Sequence, residues 1–264
     1  MENRKNGMRL TVYVLTSDGY LDALPAFCHL FNKYWSPSQP VTICGFSAPK
    51  FELPENFTFF SIGKQEDYPI DKWTDALIST LHHFPANDVF LLMLEDYWLS
   101  RPVETREVLM LTDYMRQFRN CVKMDMRTDR RHSWNAIRDF DNNLCGHIPL
   151  VMSNPDDAYH MSILAGLWNR DAMLQILAPG ETPWEVETIG KTYRNLMANR
   201  RTMIVLGTDA PDECSANWCP ISHTLAHRRG DPGKYAFNED TAFGLSKEDI
   251  DELLELNLID RSKL

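Results

Sequence analysis

The stretch Val89–Leu99, which reads VFLLMLEDYWL, decides the predicted fold class. It opens with an apolar run that no polar side chain interrupts, and Glu95 and Asp96 follow at once. Such a run is typical of a strand buried on both faces of a parallel sheet. In open α/β sheets, ligands bind beyond the carboxyl ends of the strands, which is where the two acids would emerge. The stretch therefore predicts an α/β domain with Glu95 and Asp96 at its binding edge.

Two interpretations of this acidic pair follow from the stretch alone. Adjacent carboxylates can hold a metal ion and, through it, phosphate oxygens. Alternatively, Glu95 and Asp96 cap the next helix or pair with a Lys or an Arg, since structural networks also contain such acids. The neighbouring strands must therefore decide between a ligand site and a structural role.

The N-terminal part of the chain predicts further polar groups at the same edge. Leu10–Thr16 reads as a strand, Leu21–Tyr34 carries apolar residues at helical spacing, and Pro40–Phe46 reads as a second strand. This order indicates a right-handed, parallel βαβ unit. The carboxyl end of the first strand, at residues 16–18, would then lie beside Glu95 and Asp96.

The remaining elements indicate a single domain over residues 1–264, because neither an internal repeat nor a low-complexity linker divides the chain. The predicted helices are Trp73–Phe84, Val103–Phe118, Tyr159–Leu177, residues 188–200 and Leu245–Leu258. Further predicted strands are Phe57–Ile62, Val122–Met126 and Met203–Gly207. We therefore expect an α/β domain with a mostly parallel central sheet flanked by helices.

Composition narrows the function classes. The 264 residues include 37 acids and 27 bases, and this net charge of -10 does not favour a polyanion-binding protein. No apolar run approaches the roughly 20 residues of a membrane span. The N-terminal MENRKNGMRL lacks the apolar core of a signal peptide, and the six cysteines are scattered, as is typical of reduced thiols. These features predict a cytoplasmic protein without a membrane span.

Residues 127–143, RTDRRHSWNAIRDFDNN, mix basic residues with Trp134. Such a mixture can hold phosphate, a sugar face or an exposed base. The alternative is a solvated surface loop, for which this composition is also common.

A second local pattern invites a zinc interpretation. Cys214, Cys219, His223 and His227 are spaced C-x4-C-x3-H-x3-H. The gap between the second cysteine and the first histidine is shorter than in the usual zinc fingers, and Pro220 interrupts it. Structural zinc is therefore disfavoured. The sequence also lacks the Gly-rich dinucleotide fingerprint, the P-loop and the Gly-x-Ser-x-Gly motif, which argues against three other enzyme classes.

Three segments, in this order, resemble glycosyltransferase-like proteins of the GT-A type, in particular the bacterial and phage group related to capsule and surface-polysaccharide transferases. The first runs from the strand at Leu10 to Tyr34-Trp35, and the second is Trp73–Val103 with its LEDYWLSRPV. The third is AGLWNRDAMLQIL followed by PGETPWEVE, ending at Glu187. The resemblance implies a GT-A-like domain whose nucleotide-sugar half covers about residues 1–125 and whose acceptor half covers about residues 126–264.

The resemblance also implies a donor site for a nucleotide-sugar. Asp96, helped by Glu95, would take the place of the Asp-x-Asp metal motif and face the diphosphate. The residues implied on the nucleotide side are Thr16, Ser17 and Asp18, with Asp75 as a further candidate.

EDYW departs from Asp-x-Asp, so two ways of neutralising the leaving diphosphate stay open. A divalent cation, Mn²⁺ or Mg²⁺, would be bound by Asp96, with His223 completing its shell. Without a cation, basic side chains must do this, and the candidates are Arg127, Arg130 and Arg131.

On the acceptor side, an inverting transferase needs a carboxylate to take the proton from the acceptor hydroxyl. The resemblance gives this role to Glu187, with Glu185 as second choice. The two acids share a face in a strand and diverge in a helix, and the alternative is a helix N-terminus with favourable acids. The other implied acceptor-binding residues are Trp184, which could stack on a sugar, and Arg130, Arg131 and Trp134.

The expected function is therefore transfer of a hexosyl or pentosyl group from a nucleotide-sugar to a glycan or other hydroxyl acceptor. Two alternatives stay open. One is a phage DNA-modifying glycosyltransferase that acts on a hydroxymethylated base, with the basic segment from Arg127 to Arg138 facing the DNA. The other is a non-catalytic protein of the same fold that binds a nucleotide or a glycan.

Overall fold

A computed structural model describes residues 10–85, 89–126, 138–141, 150–153, 155, 160–208, 219–228, 231–237 and 244–264. The strands in these parts are β1 (Thr11–Leu15), β2 (Val41–Gly45), β3 (Phe57–Ser61), β4 (Val89–Leu94), β5 (Tyr97–Leu99), β6 (Cys121–Asp125), β7 (Arg138–Asp141), β8 (Leu150–Met152), β9 (Gly166–Asn169), β10 (Ile204–Thr208), β11 (His223–Leu225), β12 (His227–Arg228) and β13 (Asp231–Tyr235). The α-helices are α1 (Leu24–Tyr34), α2 (Trp73–His83), α3 (Thr105–Gln117), α4 (Arg170–Ile176), α5 (Pro183–Glu187), α6 (Lys191–Ala198) and α7 (Lys247–Glu255).

A nine-stranded sheet, in the order β3-β2-β1-β4-β9-β6-β10-β8-β7, forms the centre of the described chain. Strands β3, β2, β1 and β4 are mutually parallel, and β6 and β10 are parallel to each other. Strand β9 runs antiparallel to both β4 and β6, and β8 runs antiparallel to β10 and β7. All strands except β8 and β9 thus point the same way, which confirms the predicted mostly parallel sheet.

Strand β4 is buried on both faces, as its apolar run predicts. Leu91 and Met93 belong to the core under α1 and α3, whereas Phe90 and Leu92 belong to the core under α2 and α4. The chain turns at Glu95 and Asp96 directly after β4, so the two acids follow the carboxyl end of this strand, as predicted. The following β5 leaves the central sheet and pairs with β11.

The predicted helix Tyr159–Leu177 is wrong over its middle, which is strand β9, and only Arg170–Ile176 is helical. Leu167 and Trp168 are fully buried, one toward each core, while the strand pairs with β4 on one side and β6 on the other. The helix begins only after Asn169, whose side chain accepts a hydrogen bond from Ala172 N at 3.0 Å. The apolar spacing that indicated a helix therefore covers a short strand followed by a short helix.

Helix α7 is fastened to α1 by a polar cluster away from the sheet. The Tyr34 hydroxyl lies 2.6 and 2.7 Å from the two carboxylate oxygens of Asp249. Lys33 forms ion pairs with Asp249 at 2.8 Å and with Glu252, which also contacts His29 at 3.1 Å. Asp249 is almost fully buried, so its charge is balanced inside the protein. Across the described residues, no helix has both the length and the apolar character that a membrane crossing requires.

Candidate functional site

The carboxyl ends of β1 and β4 are joined directly. Leu15 and Leu94 are partners in the parallel ladder, and the Glu95 N–H donates a hydrogen bond to the Leu15 carbonyl at 3.3 Å. The Thr16 N–H donates to the Cys44 carbonyl of β2 at 2.9 Å. The structure therefore brings Thr16 and Glu95, predicted from distant parts of the sequence, to one edge of the sheet.

The Glu95 side chain is buried at this edge, with 7% of its surface exposed. Burial, followed by the negative charge of Asp96, raises the pKa of Glu95 well above its usual value. Hydrogen bonds from the N–H groups of Glu95 and Ser17 and from the Thr16 hydroxyl act in the opposite direction. The negative charge of Asp96 therefore disfavours the ionised form of Glu95. A cation beside them would favour the fully ionised pair.

Asp96 is half-buried in the turn between β4 and β5. Its carbonyl oxygen accepts a hydrogen bond from Ala226 N at 2.6 Å, just beyond β11. Burial, followed by the charges of Asp96 and Glu95, raises the pKa of the Tyr20 hydroxyl. Tyr20 lies in a 3-10 helix at Asp18–Ala23 that follows β1, so the start of this helix is close enough to the two acids for their charges to act on it.

Asp18 lies at the same edge on an exposed surface. Its carboxylate accepts hydrogen bonds from Ser47 N at 2.9 Å and from the Ser47 hydroxyl at 2.8 Å. Its own N–H donates to Gln65 Oε1 at 3.2 Å. Ser17, half-exposed beside it, precedes the 3-10 helix. These polar groups lie next to the acidic pair at the edge of the sheet. Asp75 contacts a different segment, because its carboxylate accepts a hydrogen bond from Gly180 N at 2.7 Å.

His223, predicted to complete a metal shell, is fully buried and stacks edge-on against Tyr97, with ring centroids 5.0 Å apart. It pairs with Leu99, at the far end of the short ladder from Asp96. His227 follows Ala226, whose N–H donates to the Asp96 carbonyl. The His227 ring lies 5.9 Å from the Tyr20 ring, measured between centroids, and burial lowers the pKa of His227. The His223 ring thus lies against the first residue of β5, and His227 lies next to the residue that contacts Asp96.

The donor set allows a divalent cation only with help from a ligand. Among the described residues, no group of three or more His, Cys, Asp or Glu side chains is arranged around a metal position. Mg²⁺ and similar ions are, however, held by one or two carboxylates together with substrate phosphates. Glu95 and Asp96 fit that requirement. Of the disfavoured zinc pattern, Cys214 lies outside the described residues, and the Cys219 thiol contacts the Ser222 hydroxyl at 3.3 Å.

On the predicted acceptor side, PWEVE forms the short helix α5. Thr182 and Glu185 build a capping box, in which the Glu185 carboxylate accepts from Thr182 N at 2.9 Å. These hydrogen bonds lower the pKa of Glu185. Glu187 is half-buried, and its Oε1 accepts from Ile163 N at 2.7 Å. The two acids therefore diverge as expected for a helix, and Trp184 beside them is 65% exposed.

Several predicted residues cannot be placed by the structure. Arg127, Arg130, Arg131 and Trp134 lie outside the described residues. Conversely, the structure adds residues that the sequence did not indicate, namely Tyr20 near the acidic pair and the buried Lys123 and Asp125 of β6, and it brings His227, noted only in the zinc pattern, near Tyr20. A signal for the last two was present, because a Lys and an Asp two positions apart interrupt an otherwise apolar strand and must share one face.

No family model matches the chain, and neither does any curated protein. Among solved structures, the fold is similar to a UDP-glucose pyrophosphorylase complexed with UDP-glucose, at 9% identity and a TM-score of 0.47, over 76% of this chain and 90% of that one. It is similar to the galactosyltransferase LgtC in complex with donor and acceptor sugar analogues, at 13% identity and a TM-score of 0.39, over 74% of this chain and 66% of that one. It is also similar to the bifunctional glycosyltransferase WbbM, at 11% identity and a TM-score of 0.37, over 80% of this chain and 47% of that one. Similarities this distant do not identify a reaction, so the function must be inferred from the site.

Proposed function

We propose that this protein is a glycosyltransferase of the GT-A type that moves a sugar from a nucleotide-sugar to an acceptor hydroxyl. One observation carries the proposal: the β1 end and the Glu95–Asp96 turn, two of the three segments that resemble this group, meet at one edge of a mostly parallel sheet. Ligands of open α/β sheets bind at such edges. The bacterial and phage capsule group is the best-fitting branch on the sequence segments.

The donor would lie along this edge. Its nucleoside would contact residues 16–18, and its diphosphate would face Glu95 and Asp96. Two acids next to a diphosphate repel it unless a cation lies between them, so we infer a divalent cation, Mn²⁺ or Mg²⁺, held by this pair. When bound, the cation would neutralise the charge that develops on the leaving diphosphate.

The acceptor would approach from the α5 side. Its hydroxyl oxygen forms a bond to the anomeric carbon of the donor as the bond from that carbon to the diphosphate oxygen breaks. Glu187 takes the proton of the hydroxyl, and the configuration inverts. The Glu185 carboxylate caps its own helix through the N–H and the hydroxyl of Thr182, which fits a structural role, so we assign the base to Glu187. The exposed Trp184 offers an aromatic face on which an acceptor sugar can stack.

The test is a panel of nucleotide-sugars, each with and without Mn²⁺, in which thermal stabilisation and sugar transfer or donor hydrolysis are measured. At least one donor should stabilise the protein, and more strongly with Mn²⁺. Glu187→Gln should lower transfer by about 10²–10⁴-fold, the usual contribution of a general base, and leave donor stabilisation unchanged.

Stabilisation without turnover by any donor would instead identify a non-catalytic binding protein, and no stabilisation at all would contradict the proposal. The described residues offer no observation that favours DNA as acceptor, since the basic residues on which that alternative depends lie outside them.

A further inference from the structure

A single peptide group connects a buried lysine to the proposed base. The ammonium group of Lys123 donates a hydrogen bond to the carbonyl oxygen of Ser162. The N–H of the same peptide, which belongs to Ile163, donates to Glu187 Oε1 at 2.7 Å. A positive charge therefore lies at one end of this amide and the carboxylate of Glu187 lies at the other.

Lys123 is held in place from several sides. It lies on β6 with no exposed surface, and its ammonium group forms an ion pair with Asp125 two residues further along the strand. The same group lies 5.3 Å from the ring centre of Trp168, its neighbour on β9. Asp125 offsets part of this charge, but the Ser162 carbonyl accepts a hydrogen bond directly from the ammonium group, and such a bond is electrostatically strong in a buried environment. The Ser162 carbonyl is the dipole through which this charge can act on α5.

The path of the lysine side chain is built into the sheet. Gly166 is the residue of β9 opposite Asp125, and a Cβ atom at this position would come within 2.6 Å of Lys123 Cε. Only glycine leaves room for the lysine to cross the strand and reach Ser162. The sheet therefore fixes the ammonium group rather than leaving it to a flexible side chain.

We propose that Lys123 is a positioning residue that acts on Glu187 through the Ser162–Ile163 peptide. Its ammonium group draws electron density toward the carbonyl oxygen, so the N–H becomes a stronger donor to the Glu187 carboxylate. The carboxylate is thereby kept in one orientation for the acceptor hydroxyl. This inference rests on the proposed function, because it assigns Lys123 to the reaction in which Glu187 is the base.

The kinetic test removes both charges of the buried pair together. Lys123→Met with Asp125→Asn keeps the side-chain sizes and removes both members of the ion pair, so the variant should fold. We expect kcat for transfer to fall about tenfold, the effect of weakening one hydrogen bond in the transition state, and KM for the donor to change by less than about twofold. The matched control is Lys33→Met with Asp249→Asn, the same two changes in the cluster between α1 and α7, which should leave kcat and KM unchanged.

A spectroscopic test reads the peptide itself. Labelling with carbonyl-¹³C serine and ¹⁵N isoleucine selects Ser-Ile amides by NMR, and the sequence contains two, at Ile62 and Ile163. The Ile163 amide proton should move upfield in the Lys123→Met, Asp125→Asn variant, because its hydrogen bond to Glu187 weakens. The Ile62 amide, which donates to the Gly45 carbonyl at 2.7 Å, is the internal control and should not move.

The two tests together decide the inference. A fall in kcat with a shifted Ile163 amide supports it. An unchanged kcat in an active, folded variant overturns it, and so does a fall in kcat with an unmoved Ile163 amide, since Lys123 would then not act through this peptide. If the unaltered protein transfers no sugar, the proposed function fails by itself, and the Ile163 amide alone decides whether Lys123 acts on Glu187.

Discussion

Two acidic clusters of this protein shift the pKa of their carboxyl groups in opposite directions. At the edge of the sheet, burial and the neighbouring Asp96 raise the pKa of Glu95. Between α1 and α7, burial would raise the pKa of Asp249 too, but hydrogen bonds from Lys33, Tyr34 and Ser246 outweigh it and lower the pKa. Both carboxylates are buried, so burial alone does not explain the difference.

The difference lies in the partners of each acid. Asp249 has a lysine, a tyrosine hydroxyl and a helix cap around it, as a structural acid should. Among the described residues, the groups that act on Glu95 are a second acid and uncharged donors. An acid whose pKa is raised by burial and by a neighbouring acid is suited to a cation that neutralises both. This contrast favours a binding role for the Glu95–Asp96 pair and a stabilising role for Asp249.

The largest expected effect is on the edge cluster. Asp96→Asn should lower sugar transfer by about 10²–10³-fold, because it removes half of the charge that binds the cation opposite the leaving diphosphate. Stabilisation by Mn²⁺ should disappear with it, while the melting temperature of the protein alone should not fall. Initial rates and thermal melting with and without Mn²⁺ measure these effects.

A matched control for this variant is Asp113→Asn. Asp113 is an exposed residue of α3 that pairs with Arg116 at 3.0 Å, and its replacement should change neither transfer nor Mn²⁺ binding. Full transfer activity in Asp96→Asn would contradict the binding role of the Glu95–Asp96 pair.

The cluster between α1 and α7 should respond in the opposite way. Asp249→Asn should lower the free energy of unfolding by about 2 kcal/mol, because it weakens the buried hydrogen bonds from Tyr34 and Lys33, although Lys33 keeps its ion pair with Glu252. Transfer by the remaining folded protein should be unchanged. Urea unfolding followed by circular dichroism measures the loss, and a change below about 0.5 kcal/mol would show that Asp249 is not a structural acid.

The smallest effect concerns the pH dependence of stability. An acid whose pKa is raised on folding stabilises the protein below its unfolded pKa, about 4.3, and this contribution is lost as the pH rises through the folded pKa. Glu95→Gln should therefore be more stable than the unaltered protein at pH 7, by about 1–3 kcal/mol, the usual cost of burying a polar group that is not fully compensated. The difference between the two proteins should shrink as the pH falls below about 4, where Glu95 becomes protonated in both states.

For Asp249, with its lowered pKa, the pH dependence has the opposite sign. Its contribution is present above its unfolded pKa and is lost as the pH falls below about 4. Unfolding curves between about pH 2 and pH 8 compare Glu95→Gln and Asp249→Asn with the unaltered protein. A stability difference for Glu95→Gln that does not depend on pH would contradict the raised pKa of Glu95.

The central part of the fold could be predicted because burial on both faces leaves a direct trace in the sequence. The run before Glu95 is apolar without interruption since β4 has a core on each side. Strand β9 has the same environment but is only four residues long, and α4 follows it directly. In so short a strand, two-sided burial and helical spacing produce similar patterns, so Gly166–Asn169 was assigned to a helix.

The candidate site was predictable where it depends on strand ends and not where it depends on register. Thr16 and Glu95 follow buried strands, and parallel pairing brings such ends together. The contact of Ala226 with Asp96 and the contact of His223 with Tyr97 depend on how β5 and β11 align, and spacing along the chain does not contain that alignment. The same holds for Lys123, because its contact with Ser162 depends on the strand order β9-β6 and on the space above Gly166.

The position of β9 also has a consequence for synthesis of the chain. Residues 166–169 form the strand that joins β4 to β6, so these two strands cannot belong to one sheet while the ribosome has produced only the first 125 residues. Until β9 emerges, the apolar β4 has an open edge that can pair with a neighbouring nascent chain. Truncation before residue 166 should consequently yield an aggregating fragment rather than a small folded domain. The N-terminal βαβ unit therefore depends on residues from the later part of the chain to complete its folding.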